Sequence, residues 1–175
     1  MPLKSTHLRY GSIARALHWL TALAIIGLFA TGQMLDSDDT TRKLTLLAVH
    51  VPLGLSVLVL TLARIAWWGL ADTRPASLAT GWQDRAARVV HGAFYVLMLG
   101  MAISGMALMA LSGAGEIVFG GAPGPLPDFH DYLPRIPHGI GSKLLLALVV
   151  VHVGAALYHH AIMRDATLQR MAARL

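Results

Sequence analysis

The chain has 175 residues, 55% of them hydrophobic and only 13% charged, with a mean hydropathy of +0.60. A soluble domain carries about twice that share of charge, so the composition excludes an ordinary soluble domain and describes an integral membrane protein of a length suited to one compact bundle. The formal net charge of +5 does not point to nucleic acid, because Lys and Arg flank apolar segments and act there as topology signals; the lack of cysteine excludes disulfides, iron–sulfur clusters, thiolate metal sites and c-type haem attachment.

The N-terminal MPLKSTHLRYGSIARALHW sets basic residues before an apolar run but contains no small-residue cleavage site of the A-x-A kind. The first apolar segment, 17–34, therefore reads as a retained span rather than a removed signal peptide. It is the shortest and is expected to extend outward, to 15–35. The polar link TGQMLDSDDTTRK leads to a second segment at 44–68. Pro52 inside it removes the bond to Ala48 and is expected to kink the helix. A longer connection, GLADTRPASLATGWQDRAAR, precedes the third apolar run at 89–111, read as a span of 86–111. The longest connection, SGAGEIVFGGAPGPLPDFHDYLPRIP, is rich in Gly and Pro, and an irregular loop of that length is usually functional or flexible. Pro137 can open the last segment, since a first helical turn tolerates a missing N–H, giving a span of 137–163.

Each run approaches or exceeds the ~20 residues that cross about 30 Å of hydrocarbon. Backbone groups in lipid must be satisfied internally, so these runs are helices. The expected fold is all-α, an integral membrane four-helix bundle, and the chain reads as one domain over 1–175 without internal repeats. Lys4, Arg9, Arg15, Arg64, Arg74, Arg85, Arg88, Arg164, Arg170 and Arg174 lie on one side; Arg42, Lys43, Arg135 and Lys143 lie on the other. That asymmetry places both termini in the cytoplasm.

Nine histidines are present. His7 and His130 lie in polar segments and read as solvated. His18, His50, His91, His138, His152, His159 and His160 sit in or at the ends of spans, where an ionisable group is a functional signal. His138 and His152 are 14 residues apart, about 40° short of four full turns, so they share a face about 21 Å apart along the axis. His159 lies on nearly the same face, and His160 is turned about 100° away. Imidazoles so far apart need partners from other helices. The antiparallel layout offers His50 at the outer level with His138, and His18 and His91 at the inner level with His152 or His159.

Zinc usually takes four close ligands, which the outer level lacks. Two trans imidazoles suit a six-coordinate b-type haem iron, and leave it no open position, which predicts electron transfer. Gly54, Gly92, Gly100, Gly105, Gly139, Gly141 and Gly154 allow either close approach of a flat macrocycle or ordinary helix packing. His50 matches His138 in depth. For the inner haem, depth counted from the nearest arginines favours His159 as the partner of His18. The methionines of LMLGMAISGMALM read as packing, and Trp67 and Trp68 as interface anchors or an aromatic wall.

These residues resemble the bacterial cytochrome b561 family of four-helix dihaem membrane proteins, nearly end to end. The resemblance rests on ALHWL at His18, His50 followed by LVLTLARIAWW, RVVHGAFYVLMLGMAISGMAL at His91, and His138 and His152 followed by AALYHH and RDATLQRM. It implies two b haems in the inner (cytoplasmic) membrane, one held by His18 and His152, the other by His50 and His138. That ligand set displaces His159 from the inner pair. His91, His159 and His160 are left as candidate haem-propionate or quinone partners, or as interfacial histidines without a ligand.

Similar proteins exchange electrons between the quinone pool and an outer-face reaction, and one branch oxidises superoxide and reduces ubiquinone. The expected function is therefore superoxide:ubiquinone oxidoreductase, or alternatively a cytochrome b subunit that anchors a partner hydrogenase or dehydrogenase. Outer segments hold Asp36, Asp38, Asp39, Glu116, Asp128 and Asp131 against four bases, which argues against global steering of an anion. Arg135 and Lys143 near His138 are candidates for local guidance, or else pair with haem propionates or anchor the interface. His91 and His159 are candidate catalytic residues, His159 as a proton relay.

Overall fold

The computed structural model describes residues 2–36, 39–78 and 80–172. Asp38 and Arg174, which enter the charge comparison above, lie outside them. Four long apolar helices are present: α1 (Ser12–Met34), α2 (Thr40–Ala66), α3 (Gly81–Leu111) and α5 (Arg135–Tyr158). Short helices α4 (Ala114–Val118) and α6 (Thr167–Met171) complete the order, with a 3-10 turn at Phe129–Asp131. α2 and α5 each run on through one π-helical turn, Trp67–Ala71 and His159–Met163.

The helices begin earlier than their apolar runs. α1 starts at Ser12, against 15 expected. α2 starts at Thr40 rather than 44, because the Asp39 side chain accepts from the N–H groups of Thr41 (2.9 Å) and Arg42 (3.2 Å) and caps the first turn. It stays helical through Pro52. α3 takes in the WQDRAAR stretch read as loop; Asp84 lies in its first turn and pairs with Arg88 one turn on, which supports an exposed helix start. α5 starts at Arg135, not at Pro137. Pro137 occupies the first turn, where its missing N–H is harmless. The long Gly/Pro-rich connection contains α4 and the 3-10 turn, with Gly113, Gly121 and Gly124 at positive φ.

α1 packs along α2, α3 along α5, and α2 joins the two pairs through α3; α5 makes no extensive backbone contact with α1 or α2. The middle of the bundle is an apolar layer from all four long helices: Ala24, Ile25, Val57, Met98 and Leu145. Leu23, Ile26, Val59, Val96, Ile103 and Val150 point outward and are exposed, as a lipid-facing surface requires.

The two ends differ. At one, the tail end, both terminal segments meet the α2–α3 connection. Asp72 accepts from the Ser5 N–H (3.0 Å), the Ser5 hydroxyl (2.7 Å) and Trp67 Nε1 (3.1 Å). Trp19 Nε1 donates to Met171 O (2.9 Å), Arg15 to Ala172 O (3.2 Å) and Arg170 to Ala76 O (2.6 Å). Arg74 stacks over Trp68, 5.6 Å from its centroid. The other, the loop end, carries the α1–α2 link and the α3–α5 connection.

Candidate haem-binding sites

The four long helices bring their histidines together at two levels, with the apolar layer between. At the loop end, His50 in the first half of α2 faces His138 near the start of α5, ring centroids 6.5 Å apart. At the tail end, His18 of α1 faces His152 of α5 at 6.2 Å. Imidazoles on opposite sides of one metal, with metal–nitrogen bonds of about 2.0–2.1 Å and ring centres ~1.2 Å behind the nitrogens, have centroids about 6.4 Å apart. Both separations fit that requirement. All four rings are half-buried. Among the described residues no three His, Asp or Glu side chains converge on an ion, so the donors are arranged as facing pairs.

Each histidine of the loop-end pair has a hydroxyl against its Nδ1. Thr31 Oγ1 lies 2.8 Å from Gly27 O and 2.8 Å from His50 Nδ1, so that when it donates to the carbonyl it accepts from the ring. Ser104 Oγ donates to Met101 O (3.1 Å) and stands 3.0 Å from His138 Nδ1 in the same role. In that arrangement each histidine carries its proton on Nδ1 and leaves the Nε2 lone pair available to a metal. Glycines leave room for the rings: a Cβ at Gly105 would lie 3.1 Å from His138 Cε1, and one at Gly32 would lie 3.4 Å from His50 Cε1. The sequence reading included Gly105 but missed Gly32, Thr31 and Ser104. Of the other glycines it named, Gly141 admits Met101, Gly139 lies under the Arg135 guanidinium, Gly54 touches Leu28, and a Cβ on Gly92, Gly100 or Gly154 would meet nothing within 4 Å.

The tail-end level is more crowded. His91, on the exposed side of α3, has its ring 5.7 Å from that of His152, and Phe94 lies 5.4 Å from it on another side. Arg64 Nη1 is 3.3 Å from His18 Nδ1, and Arg64 Nε is buried without a hydrogen-bond partner. Sequence reasoning treated Arg64 as a topology signal; nothing in its local context marks it as a neighbour of His18.

His159 is not beside His18, as the depth count had it. Its Nδ1 meets Asp165 Oδ2 at 2.5 Å. The contact is made by a sharp reversal: Arg164 adopts φ +53°, and the Asp165 N–H donates to His159 O (3.1 Å). Burial pushes the Asp165 carboxyl up, but hydrogen bonds from Thr167 and His159 outweigh it and hold it down at about 2. His160 is exposed. At the loop end, Arg135 folds back over α5 within electrostatic range of His138, whereas Lys143 is exposed. His7 is exposed, and His130 is exposed and paired with Asp128 (2.9 Å). The His130 backbone N–H and ring lower the Asp128 carboxyl against the small opposing effect of burial.

Comparison with known proteins identifies the family. Residues 9–173 match the model of the family described as prokaryotic cytochrome b561. Cytochrome b561 homolog 1 of Escherichia coli is 28% identical over 172 residues, covering 95% of this chain and 98% of the relative. Cytochrome b561 homolog 2 of the same organism is 29% identical over 98% of this chain and 95% of its own. A Yersinia pestis protein named probable superoxide oxidase CybB is 26% identical over 94% of this chain and 96% of its own. With four membrane-length helices and a match along nearly its whole length, this chain belongs to the prokaryotic cytochrome b561 family, multi-pass membrane proteins of electron transfer that use b-type haem.

Proposed function

We propose that residues 1–175 act as one transmembrane dihaem unit that moves electrons between a reaction at the loop end and the quinone pool at the tail end, as a superoxide:ubiquinone oxidoreductase. His50 and His138 hold one haem iron, His18 and His152 the other. The observation that carries this reading is the pair of facing imidazoles at each level, 6.5 Å and 6.2 Å between centroids. Haem iron bound at these pairs supplies a one-electron couple. A haem held by a histidine pair at each level would supply electron transfer rather than oxygen binding.

The charge asymmetry of the loops supports an inner-membrane location with both termini in the cytoplasm, so that the loop end faces outward. Two superoxide ions, one ubiquinone and two protons give two dioxygen molecules and one ubiquinol. Superoxide is an anion, and Arg135 beside His138 offers it a local positive charge. Protons are needed where quinone is reduced. His159, which meets Asp165 through Nδ1, is the candidate relay for them. His91, exposed next to His152, lies where a quinone ring would reach the tail-end site. The name of the Yersinia pestis relative favours superoxide as the donor.

The test is spectroscopic. The purified protein should give about two b haems per chain by pyridine haemochrome. Superoxide alone should reduce them, and ubiquinone should reoxidise them. Haems that ignore superoxide, in a protein that co-purifies with a soluble redox subunit, would instead make it the electron-carrying anchor of a partner dehydrogenase or hydrogenase.

A further inference from the structure

Arg64 is a cation within a membrane-spanning helix, and among the described residues it forms no ion pair with an acid. Among the described residues the ion pairs are Arg88–Asp84, His130–Asp128 and His159–Asp165. The ionisable groups around Arg64 are Tyr95, Tyr10 and Arg74, with His18, His91 and His152 on the site side. Among the described residues its Nε is buried and unpartnered, and its Nη1 lies 3.3 Å from His18 Nδ1.

That last contact cannot persist as a hydrogen bond once His18 ligates iron. A histidine bound through Nε2 keeps its proton on Nδ1, and a guanidinium has donors only. Two donors would then face each other at 3.3 Å. Arg64 must turn to an acceptor, and at membrane depth an unpaired guanidinium is costly. The acceptor best matched to its planar fork is a carboxylate. A haem held by His18 and His152 would bring carboxylates of its own, the propionates, into this region.

We propose that Arg64 pairs with a propionate carboxylate of the tail-end haem and raises the reduction potential of that haem. The proposal rests on the haem assignment given above. A nearby positive charge favours the reduced iron, which carries one unit of charge less than the oxidised iron. The electron is thereby drawn toward the end where Asp165 and His159 stand ready for proton transfer.

A redox titration of the purified holoprotein tests this. His138→Ala, which keeps the tail-end haem alone, identifies the tail-end component of the two-haem titration. In Arg64→Gln that component should fall by about tenfold in its reduction equilibrium, about 59 mV for one electron. The loop-end component should stay where it is, and Arg64→Lys should restore most of the loss. Wild-type apoprotein offered haem dimethyl ester, which has no free carboxylate, should fill the tail-end site more weakly than with haem b; this arm stands even if Arg64→Gln does not fold. An unchanged tail-end potential in Arg64→Gln with both haems bound would overturn the pairing. So would equal tail-end binding of the ester. A wild-type tail-end potential that falls as chloride or phosphate is added would overturn it too, by showing that Arg64 holds a free anion. A protein that binds no haem at all would remove the underlying assignment and the pairing with it.

Discussion

The same helix, α5, supplies one histidine to each end of the bundle, and the two are treated differently. At the loop end, His138 and His50 each face a hydroxyl that is also within reach of a backbone carbonyl one turn back. Nothing there is asked to move before a metal arrives. At the tail end, His18 faces a guanidinium, and His152 has a third histidine and a phenyl ring around it. The spacing of the rings is nearly equal, 6.5 Å and 6.2 Å between centroids. What differs is the company. The loop end is a facing pair with one hydroxyl on each ring, whereas the tail end adds a guanidinium, an exposed imidazole and a carboxylate–imidazole pair, groups of the kind proton-coupled chemistry uses.

The comparison breaks most sharply under removal of single ligands. His138→Ala should lose the loop-end haem and keep the other, and His152→Ala should do the reverse, each taking the haemochrome count from about two to about one. Loss of both haems in either variant, or of neither, would mean that the two levels are not independent sites. A smaller effect separates the ends by their neighbours. Ser104→Ala and Thr31→Val remove the acceptors from His138 and His50 Nδ1. Loss of such a partner costs about 10–100-fold in metal affinity at comparable sites. Haem should therefore leave the loop end more readily in these variants, as followed by transfer to apomyoglobin, with the tail-end haem retained. Equal loss from both ends would say that the hydroxyls serve packing only.

Much of this architecture could be read from the chain. The four helices follow from apolar runs, and the ligand spacing from 14 residues on one helical face. The depth of His18 could not. Arg15 and Trp19 are held under the C-terminal segment by Ala172 O and Met171 O, so Arg15 does not mark a water boundary, and counting depth from it pushed His18 too far out. Thr31 and Ser104 are hydroxyl residues among many, and their meaning comes from a partner on another helix. Arg64 sits in a run of basic and aromatic residues that reads as an interface. Periodicity tells which face a residue takes, not what faces it across the bundle.

Asp165 illustrates the point and gives the last test. It follows a residue in the left-handed region, Arg164, and only that reversal brings its carboxylate back to His159 Nδ1. Its ordinary value of 3.8 is lowered to about 2 in the folded protein; burial opposes the shift, and the hydrogen bonds from Thr167 and His159 exceed it. A carboxylate with a depressed value stabilises the fold above its unfolded value and loses that contribution as pH falls through the folded one. The tie at His159 should therefore hold at neutral pH and weaken only between about pH 4 and pH 2. Asp165→Asn keeps the shape and removes the charge, so it should abolish that acid-dependent loss, with little effect on haem content. Hydrogen exchange of the tail-end amides, compared between wild type and variant across that interval, reads it directly. Identical acid profiles would mean that the αL turn, rather than the carboxylate, holds His159 in place.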